Sequence, residues 1–499
     1  MKSVYKLLLV VPCWMFAMQS AKAQSLQNTQ GQSFTLQQCI DYALENSIAA
    51  QNSILDQKIA TARVKETVGL GLPQINGNVS LTSNPILRRF FGQVQTLQGF
   101  GGVDTKTQQP LLQIPHANAT DVASEQSFFT LKNSGDAGLS VNQLIFNGSY
   151  IVGLQAARTF QEVAVKTTNQ TKEQIIQLVT KAYYAVLINK ERTQLFTSNI
   201  GRVDSLLKNT TALNKNGFAE SIDVDRIQVT LNNLIVERDK FLNMDELSLA
   251  LLKFQMNYPQ DQPINVLGSI QDMQVADLTD YPKDWDYKIR PDYKVLEANK
   301  RLQELNLKNQ YASALPVISA NASTGIYTQA ATFGGLFRNN TTDVSGATLN
   351  GVPAQGLGGN NWYNYQTVGV TMNMPIFTGF QRSYRIQQEK LKLNKIENNF
   401  KSLKQGIDLE VKQSSISFDN AVKTLTSQKQ NMELASKVAR VTKIKYEQGI
   451  GSNLEVVDAE NSLRQSQTNY YGALFDAMVA KVDLDKAYGQ LLPMYTTKN

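Results

Sequence analysis

Apolar residues recur between positions 382 and 446 at alternating spacings of three and four: Leu393, Ile396, Phe400, Leu403, Ile407, Val411, Phe418, Ala421 and Leu425, with Ser414 the polar member of the series. This is the seam of a coiled coil. No proline falls between Pro375 and Pro493, so the pattern predicts an unbroken helix from Arg382 to Tyr446, on the order of 100 Å long at 1.5 Å per residue. The run Glu447-Gln448-Gly449-Ile450-Gly451-Ser452-Asn453 then offers the backbone freedom a reversal needs. From Leu454 a second pattern returns through Val457, Leu463, Tyr470, Leu474, Ala477 and Leu484. Residues 379–489 are therefore expected to form a long antiparallel helical hairpin.

The rest of the chain prepares for and repeats this element. Residues 24–34 are polar and suggest an extended tether. Thr35 is a suitable N-cap for a helix reaching about Leu70, with Leu36, Ile40, Ala43, Leu44, Ile48, Leu55, Ile59 and Ala62 on its apolar side. Leu72-Pro73 ends it, and the period changes to two: Ile75, Gly77, Val79 and Leu81 alternate with Asn76, Asn78, Ser80 and Thr82. Residues 84–135 carry no sustained period and suggest a long loop. A second strand contains Leu139 and Val141 and ends at Ile145-Phe146-Asn147-Gly148. A proline-free helix is expected from Ser149 to about Leu213, then a turn at Asn214-Lys215-Asn216-Gly217 and a return helix from Ile222 to about Met256.

After an irregular connection at 258–290, the same order recurs. A helix from Arg290-Pro291 to about Ala314 ends at Leu315-Pro316. A strand then alternates Ile318, Ala320, Ala322 and Thr324 with small polar residues, and a Gly/Asn-rich loop covers 328–364. Val368, Val370, Met372 and Met374 mark another strand, which runs into Ile376-Phe377-Thr378-Gly379. Gly217–Val224 aligns with Gly449–Val456. The chain is thus read as a tandem repeat, 24–257 and 291–499, each unit being helix, strand, long loop, strand and long helical hairpin. Strands of nine to eleven residues with one apolar and one small-polar face suit a barrel wall between lipid and a lumen. Four strands cannot close a barrel, since the smallest spanning barrels use about eight; three chains would supply twelve, and their helices could close a tube as well. The fold class expected is mainly α with membrane β, assembled as a homotrimer.

Composition changes this picture at few points. Met1–Ala23 has the form of a signal peptide, with Lys2 and Lys6 before an apolar run and Ala21-Lys22-Ala23 before Gln24. Cys13 follows Val10-Val11-Pro12, where the proline and the mid-run position argue against lipidation. Losing Lys2, Lys6 and Lys22, and no acid, takes the formal net charge from +7 to +4. Those charges are dispersed, so no nucleic-acid partner is indicated. Cys39 would be the only cysteine left and His116 is the only histidine, which leaves no expected disulfide, metal site or cofactor. No Gly-rich phosphate loop follows a strand and no histidine sits in a catalytic neighbourhood, so an enzyme is not expected.

The paired Leu-Pro boundaries, the two Ile-Phe-Asn/Thr-Gly junctions and the stretch Tyr446-Glu447-Gln448-Gly449-Ile450-Gly451-Ser452-Asn453-Leu454-Glu455-Val456-Val457-Asp458-Ala459 together resemble the TolC-type outer-membrane efflux family. That resemblance implies a trimeric channel-tunnel, with a twelve-stranded barrel in outer-membrane lipid and a twelve-helix tunnel in the periplasm. It also implies a periplasmic adaptor and an inner-membrane pump as partners, docked toward the helical turns at Gly217, Gly449 and Gly451. In the family, positions matching Asp223 and Tyr446 bond to hold the entrance shut, and positions matching Glu455 and Asp458 form acidic rings at the constriction. Gly451 replaces a gating arginine and Ile222 its threonine partner, which departs from that lock. The implied function is passive export of small molecules, or of secreted protein, through the duct. A poreless periplasmic coiled-coil adaptor or scaffold is the alternative; it would share the hairpins but would not need four alternating strands.

Overall fold

The computed structural model describes residues 32–100, 104, 106–109, 118–126, 130–270, 285–338, 348–349, 352–353 and 362–496. The expected signal peptide, residues 24–31 and His116 lie outside them. In chain order the elements begin with β1 (Gln32–Phe34), α1 (Leu36–Asn46), α2 (Ile48–Gly69) and β2 (Gln74–Ser83). Next come β3 (Arg89–Gln93), α3 (Val94–Phe100), β4 (Val122–Gln126), β5 (Asn133–Asn147), α4 (Gly148–Lys215) and α5 (Ser221–Met256). The second half has β6 (Ile264–Val266), α6 (Pro291–Ala312), β7 (Val317–Ala330), β8 (Thr348–Leu349), β9 (Val352–Pro353) and β10 (Tyr363–Asn373). It ends with α7 (Gln381–Glu447), α8 (Asn453–Ala487) and α9 (Leu491–Thr496). Two compact units result: residues 1–51, 172–284 and 410–499 form one, and 52–171 with 285–409 form the other. Each sequence repeat contributes to both.

The second of these units carries the sheet. β2 pairs with β5, β7 with β10, and β5 with β7, all antiparallel, giving the order β10-β7-β5-β2. Each repeat thus supplies one hairpin, and the two join through β5 and β7. β2 and β10 keep one open edge each. The register places Ile75, Val79, Ala137, Leu139, Val141, Ala322, Ile326, Val368, Val370 and Met372 on one face. Asn76, Asn78, Ser80, Asp136, Ser140, Asn321, Ser323, Tyr365 and Thr367 lie on the other. Behind the sheet, Thr168 Oγ1 donates to Ser53 O (3.1 Å) and Gln161 Nε2 to Thr61 Oγ1 (2.8 Å). Tyr293 meets Phe400 edge to face, with centroids 5.3 Å apart.

The other unit is helical. Its main core gathers Cys39, Ile40 and Ala43 of α1, Ile176, Val179 and Tyr183 of α4, Leu252 and Met256 of α5, and Met478 and Val482 of α8. Burial pushes the Cys39 thiol up to about 12, which makes it unreactive. β1 pairs in parallel with β6, and the Tyr183 hydroxyl donates to Leu267 O beside them. A second cluster joins Phe196, Val203, Leu206, Ile227, Leu231, Phe241, Val456 and Val457, with the rings of Phe196 and Phe241 stacked at 5.0 Å. Along α7, every predicted seam position from Leu393 to Leu425, Ser414 included, is buried or half-buried.

Several boundaries differ from expectation. The helix from Thr35 is divided at Ser47, whose ψ of 142° is extended; beyond it the expected apolar positions Ile48, Leu55, Ile59 and Ala62 are exposed, and α2 buries Ala50, Ser53 and Ala60 instead. Thr35 does form a capping box with Gln38. Residues 84–135 contain β3, α3 and β4, with β3 and β4 paired and Val94 and Leu97 buried, and β5 already begins at Asn133. β7 extends through Ala330. Residues 32–34 of the expected tether form β1, and the connection at 258–290 contains its partner β6. Pieces of three to five residues are too short to imprint a period on the sequence; pairing partners distant in the chain create them.

Candidate functional site

The two helical reversals hold all the residues singled out from the sequence, and they are built alike. α4 ends in the turn at Gly217, where φ is +78°, and α7 in the turn at Gly449, where φ is +76°. A side chain in that region meets its own carbonyl, so glycine is the residue that fits. Phe218 N–H donates back to Leu213 O (2.9 Å) and Gly217 N–H to Asn214 O (3.0 Å). The second reversal repeats this, with Ile450 N–H to Lys445 O (3.0 Å) and Gly449 N–H to Tyr446 O (2.9 Å). Phe218 (82 % exposed) and Ile450 (74 %) consequently stand out as matching apolar tips.

The reversals differ one residue further on. Gly451 does not need a left-handed backbone but lacks room: a Cβ there would lie 3.1 Å from Lys445 Cβ and 3.1 Å from Tyr446 N. Ser452 caps α8, its hydroxyl accepting from Glu455 N–H (3.2 Å), whereas Glu220, ahead of α5, makes no side-chain cap.

Tyr446 and Asp223 reach this region through separate partners. The Tyr446 hydroxyl pairs with Thr210 Oγ1 (3.1 Å), and Asp223 Oδ1 faces Arg226 Nη1 (3.6 Å). No hydrogen bond joins the two in this chain; Arg226, one helical turn on, faces the carboxylate instead. The link between the tips comes instead from Asn453, whose Nδ2 donates to the Asp223 backbone carbonyl (3.1 Å). Thr210, Arg226 and Asn453 were not singled out from the sequence; the repeat alignment, which sets Asn453 at the first position of its helix opposite Ser221, was the available signal. Ile222 is half exposed.

Glu455 and Asp458 share one face of the first turns of α8. Both are exposed, while the residues between and beside them, Val456, Val457 and Ala459, are buried. No ion pair or hydrogen bond reaches either carboxylate side chain among the described residues. Two uncompensated carboxylates three residues apart project from a helix start, where the backbone dipole favours negative charge. Such a pair attracts cations; nothing around it supplies a nucleophile, a proton shuttle or a metal-binding set, and among the described residues no group of three or more metal-ligating side chains occurs. No helix among the described residues is long and apolar enough to cross a membrane.

Comparison with known proteins agrees with this geometry. Residues 289–490 match the profile of the family described as outer membrane efflux protein. A search of curated protein sequences finds no match. Among solved structures, the open state of the Neisseria gonorrhoeae MtrE outer membrane channel superposes with a TM-score of 0.64 at 18 % identity, covering 92 % of this chain and 89 % of that one. The Campylobacter jejuni CmeC outer membrane channel gives 0.63 at 13 % identity, covering 91 % and 85 %. The outer membrane protein VceC from Vibrio cholerae gives 0.62 at 13 %, covering 91 % and 96 %. At such identities these likenesses establish the fold, while the matched profile covers the second half of the chain. Residues 289–490 thus carry an outer membrane efflux protein domain, and nearly the whole chain has the fold of these outer membrane channels.

Proposed function

We propose that three copies of this chain form the exit duct of a tripartite efflux or type I secretion system, extending from the outer membrane into the periplasm and passively conducting cargo delivered by an inner-membrane pump through a periplasmic adaptor. The observation that carries the reading is the unclosed sheet with two unlike faces. β2 and β10 have unpaired edges, and an apolar face with Val79 80 % and Val368 87 % exposed is unfavourable in water by about 1.5–3 kcal/mol for each large side chain. Three sheets joined edge to edge give twelve strands, satisfy every edge and set the apolar faces against lipid. The helices support the same assembly. Val229, Val236, Leu247, Leu251 and Phe254 form an uncovered stripe along α5, which a neighbouring copy covers.

In this trimer Glu455 and Asp458 line the constriction as two acidic rings, and the tips at Gly217, Gly449 and Gly451, with Phe218 and Ile450 exposed, meet the adaptor. Asp223 and Tyr446 serve the closed entrance through Arg226 and Thr210 and not through each other. A soft-metal cargo is not favoured, since the duct offers three-fold acidic rings and no ladder of Met, His or Cys.

The test is single-channel recording of the purified trimer in a planar bilayer beside a Glu455→Ala/Asp458→Ala variant. Cation-selective conductance that loses its selectivity in the variant is the expected result. A folded protein that stays monomeric, or a trimer whose selectivity ignores both substitutions, overturns the reading.

A further inference from the structure

Across β2, β5, β7 and β10, Asp136 is the one acidic or basic side chain. It lies on the polar face of the sheet, three residues from the start of β5 at the end where the long loop joins. A lone charge in a barrel wall is costly against lipid, and this one is elaborately held. Asn78 Nδ2 of β2 donates to its Oδ1. The Tyr365 hydroxyl of β10 bonds to the same carboxylate, although β10 and β5 are separated by β7. Two strand spacings, about 10 Å, lie between them.

The reach is possible because of a pair of glycines. Gly138 of β5 and Gly325 of β7 are register partners. A Cβ on either would come within 2.8 Å of the Tyr365 hydroxyl, so the phenol lies across bare backbone on its way to Asp136. Three strands thus cooperate to fix one carboxylate. An ionised carboxyl has about four acceptor positions; two donors occupy part of that capacity and the rest faces the open polar side.

Resting on the trimeric barrel proposed above, we infer that Asp136 forms a second, barrel-level cation filter: a ring of three fixed carboxylates in the lumen near the loop-side mouth, favouring cationic over anionic solutes independently of Glu455 and Asp458. Holding the carboxylate by Asn78 and Tyr365 keeps it from folding back onto the wall and keeps the ring geometry the same in all three copies. Charge fixed in a narrow, low-dielectric-walled passage biases the local concentration of small ions.

Ser80 is the direct register partner of Asp136 on β2 and therefore a reporter on the same face, while Val79 points to the opposite one. A Ser80→Cys variant in outer-membrane vesicles is treated at low ionic strength with a cationic (trimethylammonium-ethyl) and an anionic (sulfonatoethyl) methanethiosulfonate, and the two labelling rates are compared. Cys39, buried and unreactive, contributes no background. The cation-to-anion rate ratio is expected to fall roughly fivefold when Asp136→Asn is added, to be kept by Asp136→Glu, and to collapse in wild-type background at 1 M salt, where the screening length is about 3 Å. Val79→Cys is expected to react with neither reagent. An unchanged ratio in Ser80→Cys/Asp136→Asn overturns the filter while leaving the barrel standing. A Ser80→Cys protein that neither reagent labels shows that the polar face is not a water-filled lumen, and overturns the barrel reading and the filter together.

Discussion

At the first helical tip Asp223 faces Arg226; at the second, the residues in the same places of the repeat are Glu455 and Asp458. The backbone is shared down to the individual turn bonds, with Gly217 and Gly449 left-handed and Phe218 and Ile450 exposed behind them. Asp223 thus sits in an i,i+3 ion pair at the first tip, whereas neither Glu455 nor Asp458 has an ion-pair partner among the described residues. The fold needs the glycines at both tips; the charge inversion at one position, arginine against aspartate, sets the difference.

The sharpest way to break this contrast is to copy one tip onto the other. Asp458→Arg places the first tip's cation beside Glu455, and cation selectivity in a KCl gradient is expected to vanish, read as a reversal potential near zero; the reciprocal Arg226→Asp is expected to leave selectivity at or above the wild-type value. Gly451→Ala comes next. Its Cβ presses on Lys445 and Tyr446, a strain of about 1–3 kcal/mol, whereas Ala219 carries a Cβ at the matching place of the first tip. Amide exchange is expected to quicken across 446–455 and stay unchanged across 214–223.

Ser452→Ala removes a helix cap that the first tip lacks, at about 1 kcal/mol, and is expected to speed exchange of the Glu455 amide about fivefold. The smallest effect concerns Asp245 of α5, whose pKa burial raises, with Lys190 partly opposing. The folded state then holds that proton more tightly than the unfolded chain, so the carboxylate costs stability at neutral pH and the cost disappears once both states are protonated. Asp245→Asn is expected to raise the apparent melting temperature slightly at pH 7 and not at all below about pH 4.

Much of the fold was legible because its signals are long. The α7 seam, the proline-free hairpins and the two alternating strand pairs each extend over many residues, so burial on one side leaves a period in the sequence. The short elements β1, β3, β4 and β6 and the break at Ser47 were not legible, since each depends on a pairing partner or a packing surface elsewhere. At the site, the glycine turns and the face shared by Glu455 and Asp458 followed from helical spacing. The partners of Asp223 and Tyr446 did not. Arg226 and Thr210 are nearer than the pairing carried over by resemblance, and a choice among competing hydrogen bonds is decided by distances that the order of residues does not contain.

The sequence by itself determined the repeat, the periods of three-to-four and two, the positions of the turns and the inventory of charge, because these depend on neighbours a few residues away. Only the tertiary structure decided that β5 and β7 join the two hairpins into one sheet, that Asn453 reaches the Asp223 carbonyl, and that Tyr365 crosses the Gly138–Gly325 pair to hold Asp136. Each of these unites residues forty or more positions apart, where contact depends on how the chain packs and no local pattern records it.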